Sequence, residues 1–307
     1  MNGEVLIIGY GSIGKRHARN LLNLGIAPYV LTKHPDKLNV KFLEDIKLVK
    51  DKNIRHCIIS SSTAKHLDDM KRCAVSLSKL KNVLIEKPLE SSFLKGKKIR
   101  DIARTHNLKV SIAYNMRFLK IFDIVKKFTK HHKKKIRIIE VVAGQDLREW
   151  RPCRDITCSY SAHRKLGGGV DMDLSHEIDY ILWLFGIRFK NKMMYRAKIS
   201  DLKIKSPDIF KLVLGYNKFI ADISLDYIRK PKERYLKIFC DTGKNLHYDF
   251  VKDELKIDGK LISNRDNDNM GNSYKRMLEA FLGINKVGKA ELCSLEEALN
   301  VLKVLEV

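Results

Sequence analysis

The sequence predicts an α/β protein of two domains, a doubly wound parallel sheet followed by a second α/β domain. Three observations predict it. An all-apolar run, Val5–Ile8, leads straight into Gly9-Tyr10-Gly11-Ser12-Ile13-Gly14 and then into a helical pattern. Short apolar runs then alternate with helical stretches as far as Ala113. Beyond Phe185 the pattern changes to closely spaced strand-like runs. A chain of 307 residues is long for one compact domain and comfortable for two.

Val5–Ile8 has no polar face, so it fits a strand buried on both sides. Lys15–Leu24 follows as a helix with Ala18, Leu21, Leu22 and Leu24 apolar, and Gly25 ends it. Strand, G-x-G-x-x-G and helix in this order form a dinucleotide-binding turn. Gly9 permits the tight turn, Gly11 lets the backbone approach a pyrophosphate, and Gly14 lets the helix pack on the strand. Ser12 and Ile13 belong to the same turn, where the helix N-terminus offers unpaired N–H groups to phosphate. The next strand, Pro28–Thr32, is followed by Lys33. An NAD site usually carries Asp or Glu at this strand end to bind the ribose 2′-OH. Thr32 and Lys33 instead suit a 2′-phosphate, so NADP is the expected cofactor and NAD the alternative. Further strands are expected at His56–Ser60, Asn82–Glu86 and Lys109–Ala113. Helices are expected from Ser61 through Leu77 and, capped by Ser91 or Ser92, to about His106.

Lys and Arg number 60 against 36 Asp and Glu, a net charge of +24. Such a field attracts anions of any kind. The basic runs at Lys95–Arg100 and Lys126–Arg137 carry no interleaved aromatic pattern and no nucleic-acid motif. A solvated lysine-rich surface is the plainer reading, and no nucleic-acid partner is expected. A hydrophobic content of 44% supports a large core. No uninterrupted apolar stretch reaches the ~18 residues of a membrane span. The opening Met-Asn-Gly-Glu has no basic leader character, and the six Cys are widely spaced, so a cytoplasmic protein without a disulfide framework is expected. Cys153, Cys158 and His163 do not follow a common zinc spacing, and no metal is expected.

Five segments then occur in a fixed order: GYGSIGKRH at Gly9–His17, SSSTAKH at Ser60–His66, EKP at Glu86–Pro88, YNMRF at Tyr114–Phe118 and GGGVDMDLSHEIDY at Gly167–Tyr180. Together they resemble the Gfo/Idh/MocA family of oxidoreductases, over the first 180 residues. The resemblance implies a Rossmann domain at 1–118 and a substrate-binding and oligomerisation domain at 119–307. It gives the second domain an open, largely antiparallel sheet, and a homodimer or tetramer formed through it. It puts Lys87 at the catalytic lysine position, with a cis peptide before Pro88. It brings Ser61, Ser62, His66 and Glu86 to the cofactor, and Asn115 and Arg117 near the substrate.

In the second domain Ile136–Gly144 reads as the first strand. The polar stretch Gln145–Lys165 is rich in Arg and aromatics, so Arg148, Trp150, Arg151 and Tyr160 are candidates for sugar or carboxylate contacts. Gly167–Gly169 leads into a helix expected from Val170 to Phe185. Val170, Leu174, Ile178, Ile181 and Phe185 form its apolar face, while Asp173, His176 and Tyr180 share another side. The resemblance puts a catalytic Asp and His here with D-x-x-x-H spacing. This chain has D-x-x-H, which leaves open whether Asp171 or Asp173 fills that role. Strand-like runs follow at Met193–Ser200, Ile209–Tyr216, Phe219–Tyr227 and Tyr235–Cys240, then a hairpin around Asp249–Asp258. Helices at Met270–Leu282 and Leu295–Leu305 close the chain.

The expected activity is hydride transfer between a nicotinamide cofactor and a secondary hydroxyl or keto group of a sugar, nucleotide sugar or cyclitol. His176 would exchange the hydroxyl proton, Lys87 would donate to the oxygen, and Asp173 would orient them. WRPCRD at Trp150–Asp155, with SYSA and the glycine-led helix, resembles the nucleotide-sugar and cell-surface sugar branch. A cofactor-binding sensor without turnover is the alternative of another class, and the intact Lys87 and His176 argue against it.

Overall fold

The computed structural model describes residues 3–150, 155–263, 270–284 and 291–306. Its first stretch runs β1 (Glu4–Ile8), α1 (Ser12–Asn23), β2 (Tyr29–Leu31), β3 (Lys41–Leu43), β4 (Ile54–Ile59), α2 (His66–Ser76), β5 (Asn82–Ile85), α3 (Phe93–Thr105) and β6 (Lys109–Ile112). The middle opens with α4 (Ile121–His131), β7 (Ile136–Gly144), α5 (Leu147–Trp150), α6 (Val170–Asp173) and α7 (Ser175–Phe185). It continues through β8 (Asn191–Ala197), β9 (Ile209–Gly215), β10 (Ile220–Asp226), β11 (Glu233–Cys240), β12 (Asn245–Asp249), β13 (Glu254–Ile257) and β14 (Lys260–Ser263). Last come α8 (Met270–Leu282), β15 (Cys293–Ser294) and α9 (Leu295–Leu305). Among the described residues no helix is long and apolar enough to cross a membrane.

The chain divides into two compact units, one of residues 3–118 with 270–306 and the other of residues 119–263. The first unit is a seven-stranded sheet in the order β15-β6-β5-β4-β1-β2-β3. All its neighbours pair in parallel except β15. β1 is sealed on both faces, as its apolar composition requires. The chain leaves β1 toward β2 on one side and returns through β4 on the other. That reversal opens a crevice at the carboxyl ends of the two strands.

The expected second domain of 119–307 is revised at its C-terminal end, because α8, β15 and α9 belong to the first unit. The reason is burial. Tyr274, Met277, Leu278 and Phe281 of α8 join a core with Val5, Ile7, Leu21 and Ile58. α9 lies close on α3, where a Cβ at Gly96 would stand 2.9 Å from Leu299. Its start is fixed by a capping box between Ser294 and Glu297.

The second unit is an eight-stranded sheet in the order β14-β13-β12-β11-β7-β10-β9-β8, antiparallel except for β7 with β10. Its register sorts the two faces. Leu212, Ile223, Val141, Leu236, Tyr248 and Leu255 form one buried row across six strands. The adjacent row, Val213, Asp222, Glu140, Lys237, His247 and Lys256, stays partly open to solvent. Helix α4, hidden in the sequence by its lysines, buries Phe122, Val125 and Phe128. The single helix expected from Val170 to Phe185 is two helices broken at Leu174. Asp173 therefore ends one helix, and His176 lies in the first turn of the next.

Candidate active site

In the first unit the glycine turn is built from backbone and open space. Gly9 has φ +93°, and a Cβ there would lie 2.6 Å from the Ser61 nitrogen. A Cβ at Gly14 would lie 2.2 Å from the Gly9 carbonyl oxygen, so the helix could not sit this close with any other residue. Gly11 is different, since nothing lies within 4 Å of where its Cβ would be. The first turn of α1, with exposed Ser12 and half-buried Ile13, carries no acidic side chain and no side-chain cap. Its N–H groups and positive dipole end are left for a ligand. The Ser60 hydroxyl donates to the Gly9 carbonyl at 2.9 Å, and the buried Ser61 hydroxyl has no partner among the described residues. Ser62 starts the short turn before α2 without capping it. An open glycine cradle beside an unused hydroxyl fits a dinucleotide.

Thr32 and Lys33 stand just past β2, with the Thr32 hydroxyl oxygen accepting the His34 N–H at 3.1 Å and Lys33 exposed. Sequence reasoning missed Asp36. Its carboxylate accepts from the Tyr10 hydroxyl at 2.9 Å and the Leu38 N–H at 2.9 Å, and pairs with Lys15 at 2.9 Å. Lys15, then the Leu38 N–H, pull its carboxyl down to about 2. Burial, then Asp36, pushes the Tyr10 hydroxyl up to about 12. The one available signal was an acid just beyond a proline turn.

Lys87 is half-buried, two residues past β5, and the Lys87–Pro88 peptide is cis. Glu86, expected at the cofactor, is engaged on both oxygens. Oε1 meets His17 Nε2 at 2.7 Å, and Oε2 accepts the Lys87 N–H at 3.3 Å. The buried His66 ring lies between the Ser61 carbonyl at 3.2 Å and the Leu89 carbonyl at 3.1 Å. Asn115 and Arg117, expected near substrate, are buried in the first unit. Asn115 donates to the Ser273 hydroxyl at 2.7 Å, and Arg117 pairs with Glu297 at 2.9 Å. Both tie the segment after β6 to the returning C-terminal helices.

In the second unit the two candidate acids separate. Asp171 is fully buried between Arg164 at 2.8 Å and Arg196 at 2.9 Å. Asp173 accepts from the buried Tyr227 hydroxyl at 2.6 Å. Burial, then the Asp173 charge, drives the Tyr227 hydroxyl well above its ordinary range, so it stays a donor. Asp171 therefore sits between two guanidinium groups, while Asp173 carries a phenol hydroxyl on Oδ2. His176 is 7% exposed. Next to it, Glu177 is bound by Arg234 at 2.7 Å.

Tyr180 is corrected to a core residue, packed with Phe122 and Phe250, and its hydroxyl has no partner among the described residues. Burial pushes that hydroxyl well up. The Arg148 fork is taken by Asp146, at 2.9 Å and 2.5 Å, and holds that carboxyl well below the usual range. Trp150 meets Tyr227 edge-on at 5.3 Å and lines a cavity of about 230 Å³ with Leu147, Ile156, Ser159 and Ser161. Tyr160 lies half-buried in the short turn Tyr160–Ala162. Arg151 and Cys153 lie outside the described residues. His163 Nε2 donates to the Thr157 carbonyl at 2.6 Å, and no cluster of three or more His, Cys, Asp or Glu gathers among the described residues.

Residues 4–114 match the family model described as "Oxidoreductase family, NAD-binding Rossmann fold". An uncharacterized oxidoreductase of Schizosaccharomyces pombe is 28% identical over 195 residues, covering 62% of this chain. The chain spans about half the length of that curated relative, 50% of it being covered. Among solved structures, the WlbA dehydrogenase from Bordetella pertussis, in complex with NADH and UDP-GlcNAcA, has a TM-score of 0.80 at 16% identity, covering 99% of this chain and 94% of that one. The UDP-N-acetylglucosamine 3-dehydrogenase GnnA from Acidithiobacillus ferrooxidans has a TM-score of 0.76 at 17% identity, covering 99% and 96%. These two share the fold. Residues 4–114 are thus similar to the NAD-binding Rossmann domain of the Gfo/Idh/MocA oxidoreductase family.

Proposed function

We propose that the chain is an NAD(P)-dependent dehydrogenase or reductase acting on a secondary hydroxyl or keto group of a sugar, nucleotide sugar or cyclitol. One observation carries the reading. An open glycine turn after β1 and a half-buried lysine after β5 lie along the carboxyl edge of one parallel sheet. The bound nicotinamide cofactor supplies the hydride chemistry. Gly9, Gly11, Gly14 and the first N–H groups of α1 hold its pyrophosphate. Thr32 and Lys33 favour a 2′-phosphate, hence NADP over NAD, since the nearby acid Asp36 is already bound to Lys15 and Tyr10.

Lys87 donates to the reacting oxygen and stabilises the alkoxide charge that develops there. His176 takes the hydroxyl proton in oxidation and returns it in reduction, a task suited to imidazole near neutral pH. Asp173, fixed by Tyr227, orients these groups. Trp150 and Tyr160 offer faces to the sugar. A nucleotide-sugar substrate is favoured by the net charge of +24 and by the UDP-sugar names of two proteins of this fold. The half-open charged row of the second sheet supports a homodimer or tetramer, which sedimentation velocity tests. We read the setting as cytoplasmic.

A screen of sugars, cyclitols and nucleotide sugars, followed by NADPH absorbance in both directions, tests the activity. Lys87→Ala should keep NADPH affinity and lose about 10²–10³-fold in kcat. Unchanged turnover removes Lys87 from the reaction. Tight cofactor binding with no turnover of any compound favours the sensor instead.

A further inference from the structure

We infer that His17 and His66 are positioning residues for Lys87: two buried imidazoles tie the chain on either side of the lysine to the elements of the dinucleotide cradle. The inference rests on the reading of Lys87 as the group that meets the reacting oxygen.

Both rings are buried, His17 completely. Burying a polar ring inside a helix-on-sheet core costs free energy unless its hydrogen bonds are made. An apolar side chain would fill either place with less demand, so the bonds the rings make need a reason. His17 lies in α1, the helix that starts at the glycine turn. Its Nε2 donates to Glu86 Oε1 at 2.7 Å, and the other oxygen of the same carboxylate accepts the N–H of Lys87 itself at 3.3 Å. The carboxylate thus links α1 to the backbone of the reacting residue.

His66 does the same from the other side. One ring nitrogen faces the carbonyl of Ser61, in the turn packed on Gly9, and the other faces the carbonyl of Leu89, two residues past Lys87; the nitrogen that carries the N–H donates to one of them, and the ring is wedged against the other. Each histidine therefore has one end on the cradle and one end within two residues of the lysine. Cofactor and ammonium are registered by two short bridges that touch neither the hydride nor the oxygen. A displacement of about 1 Å in such a group can cost on the order of a hundredfold in rate.

The test compares His17→Leu and His66→Leu with His17→Gln and His66→Gln, which keep a donor. Hydrogen exchange, read by mass spectrometry on the peptide covering 86–92, should speed up by about tenfold or more in the leucine variants, with the rest of the sheet unchanged. NADPH affinity, read by fluorescence, should stay within about threefold, while kcat falls about a hundredfold at little change in KM. The glutamine variants should recover most of both losses. Unchanged exchange at 86–92 overturns the inference whatever turnover does. So does an NADPH affinity that falls as far as kcat, which would make the rings part of the cradle alone. Should a leucine variant fail to fold, His→Asn, polar but too short to span the gap, replaces it with the same expectations. A wild-type chain that turns over none of the screened compounds defeats the proposed function, and exchange at 86–92 still decides on the bridges.

Discussion

The two units make their sites from different materials. In the first, the candidate cradle is made of backbone N–H groups, carbonyls and the empty space at Gly11. In the second, the candidate groups are buried carboxylates, each held by a partner distant in sequence. Asp173 is bound by Tyr227, 54 residues on, and Glu177 by Arg234, 57 residues on. A backbone site fails only where a side chain intrudes, whereas a site of buried charges fails when any one partner is removed.

The largest effect should come from breaking a buried charge in the second unit. Asp171→Asn leaves Arg164 and Arg196 facing each other without the carboxylate between them. Burial already lowers the Arg196 guanidinium, as does the Arg164 charge, while Asp171 opposes both. Loss of one partner of a buried pair costs about 3–5 kcal/mol, and the partial exposure of Arg164 moves the expectation to the lower end. Urea unfolding measures it. A loss within experimental error would mean the acid is not holding these cations.

The first unit should break differently at its two neighbouring glycines. Gly14→Ala puts a methyl 2.2 Å from the Gly9 carbonyl oxygen and should cost about 1–3 kcal/mol of stability. Gly11→Ala meets nothing within 4 Å, so stability should hold within about 0.5 kcal/mol. Its effect should be on NADPH affinity, by about tenfold or more, because the methyl occupies the approach of the pyrophosphate. If both variants lose stability equally, the cradle is not open space.

This contrast also explains what could be read in the sequence. The glycine turn is contiguous, so its pattern marks Gly9, Gly11 and Gly14, whereas Lys87 enters through the resemblance that EKP carries. The break at Leu174 was invisible because Val170–Leu182 is buried on every side and carries no Gly or Pro. Tyr227 and Arg196 were missed because they lie at β10 and in β8, far along the chain from Asp173 and Asp171, and no local spacing records the pairing. The partners of Asn115 and Arg117 were hidden for a related reason. Ser273 and Glu297 come from a C-terminal return that the resemblance assigned to the other unit.

Intermediate effects should follow from single hydrogen bonds and exposed charges. Tyr227→Phe removes the donor to Asp173 and should cost about 1–2 kcal/mol by urea unfolding, together with a fall in kcat. A kcat equal to wild type would separate Asp173 orientation from the chemistry. Lys33→Ala, on an exposed loop, should leave folding unchanged and weaken NADPH by about tenfold relative to NADH, since charge-assisted bonds contribute about 1.5 kcal/mol. Equal weakening of both cofactors would remove the 2′-phosphate reading.

The smallest effect belongs to Asp36, a charged latch on the glycine turn. Its folded pKa of about 2 lies below the ordinary 3.8, so its contribution to stability is complete above the ordinary value and is lost as pH falls toward 2. A carbon-13 titration of the carboxyl should find the midpoint near the lower value, and a midpoint near 4 would mean that Lys15 and Leu38 do not hold it in solution. The latch is also partly exposed, at 32% for Asp36 and 37% for Lys15, so added salt should move the midpoint back upward. Salt should leave the stability lost in Asp171→Asn nearly unchanged, because that acid is out of water. An equal salt response at both acids would erase the distinction between a surface latch on a backbone site and a buried charge in a side-chain site.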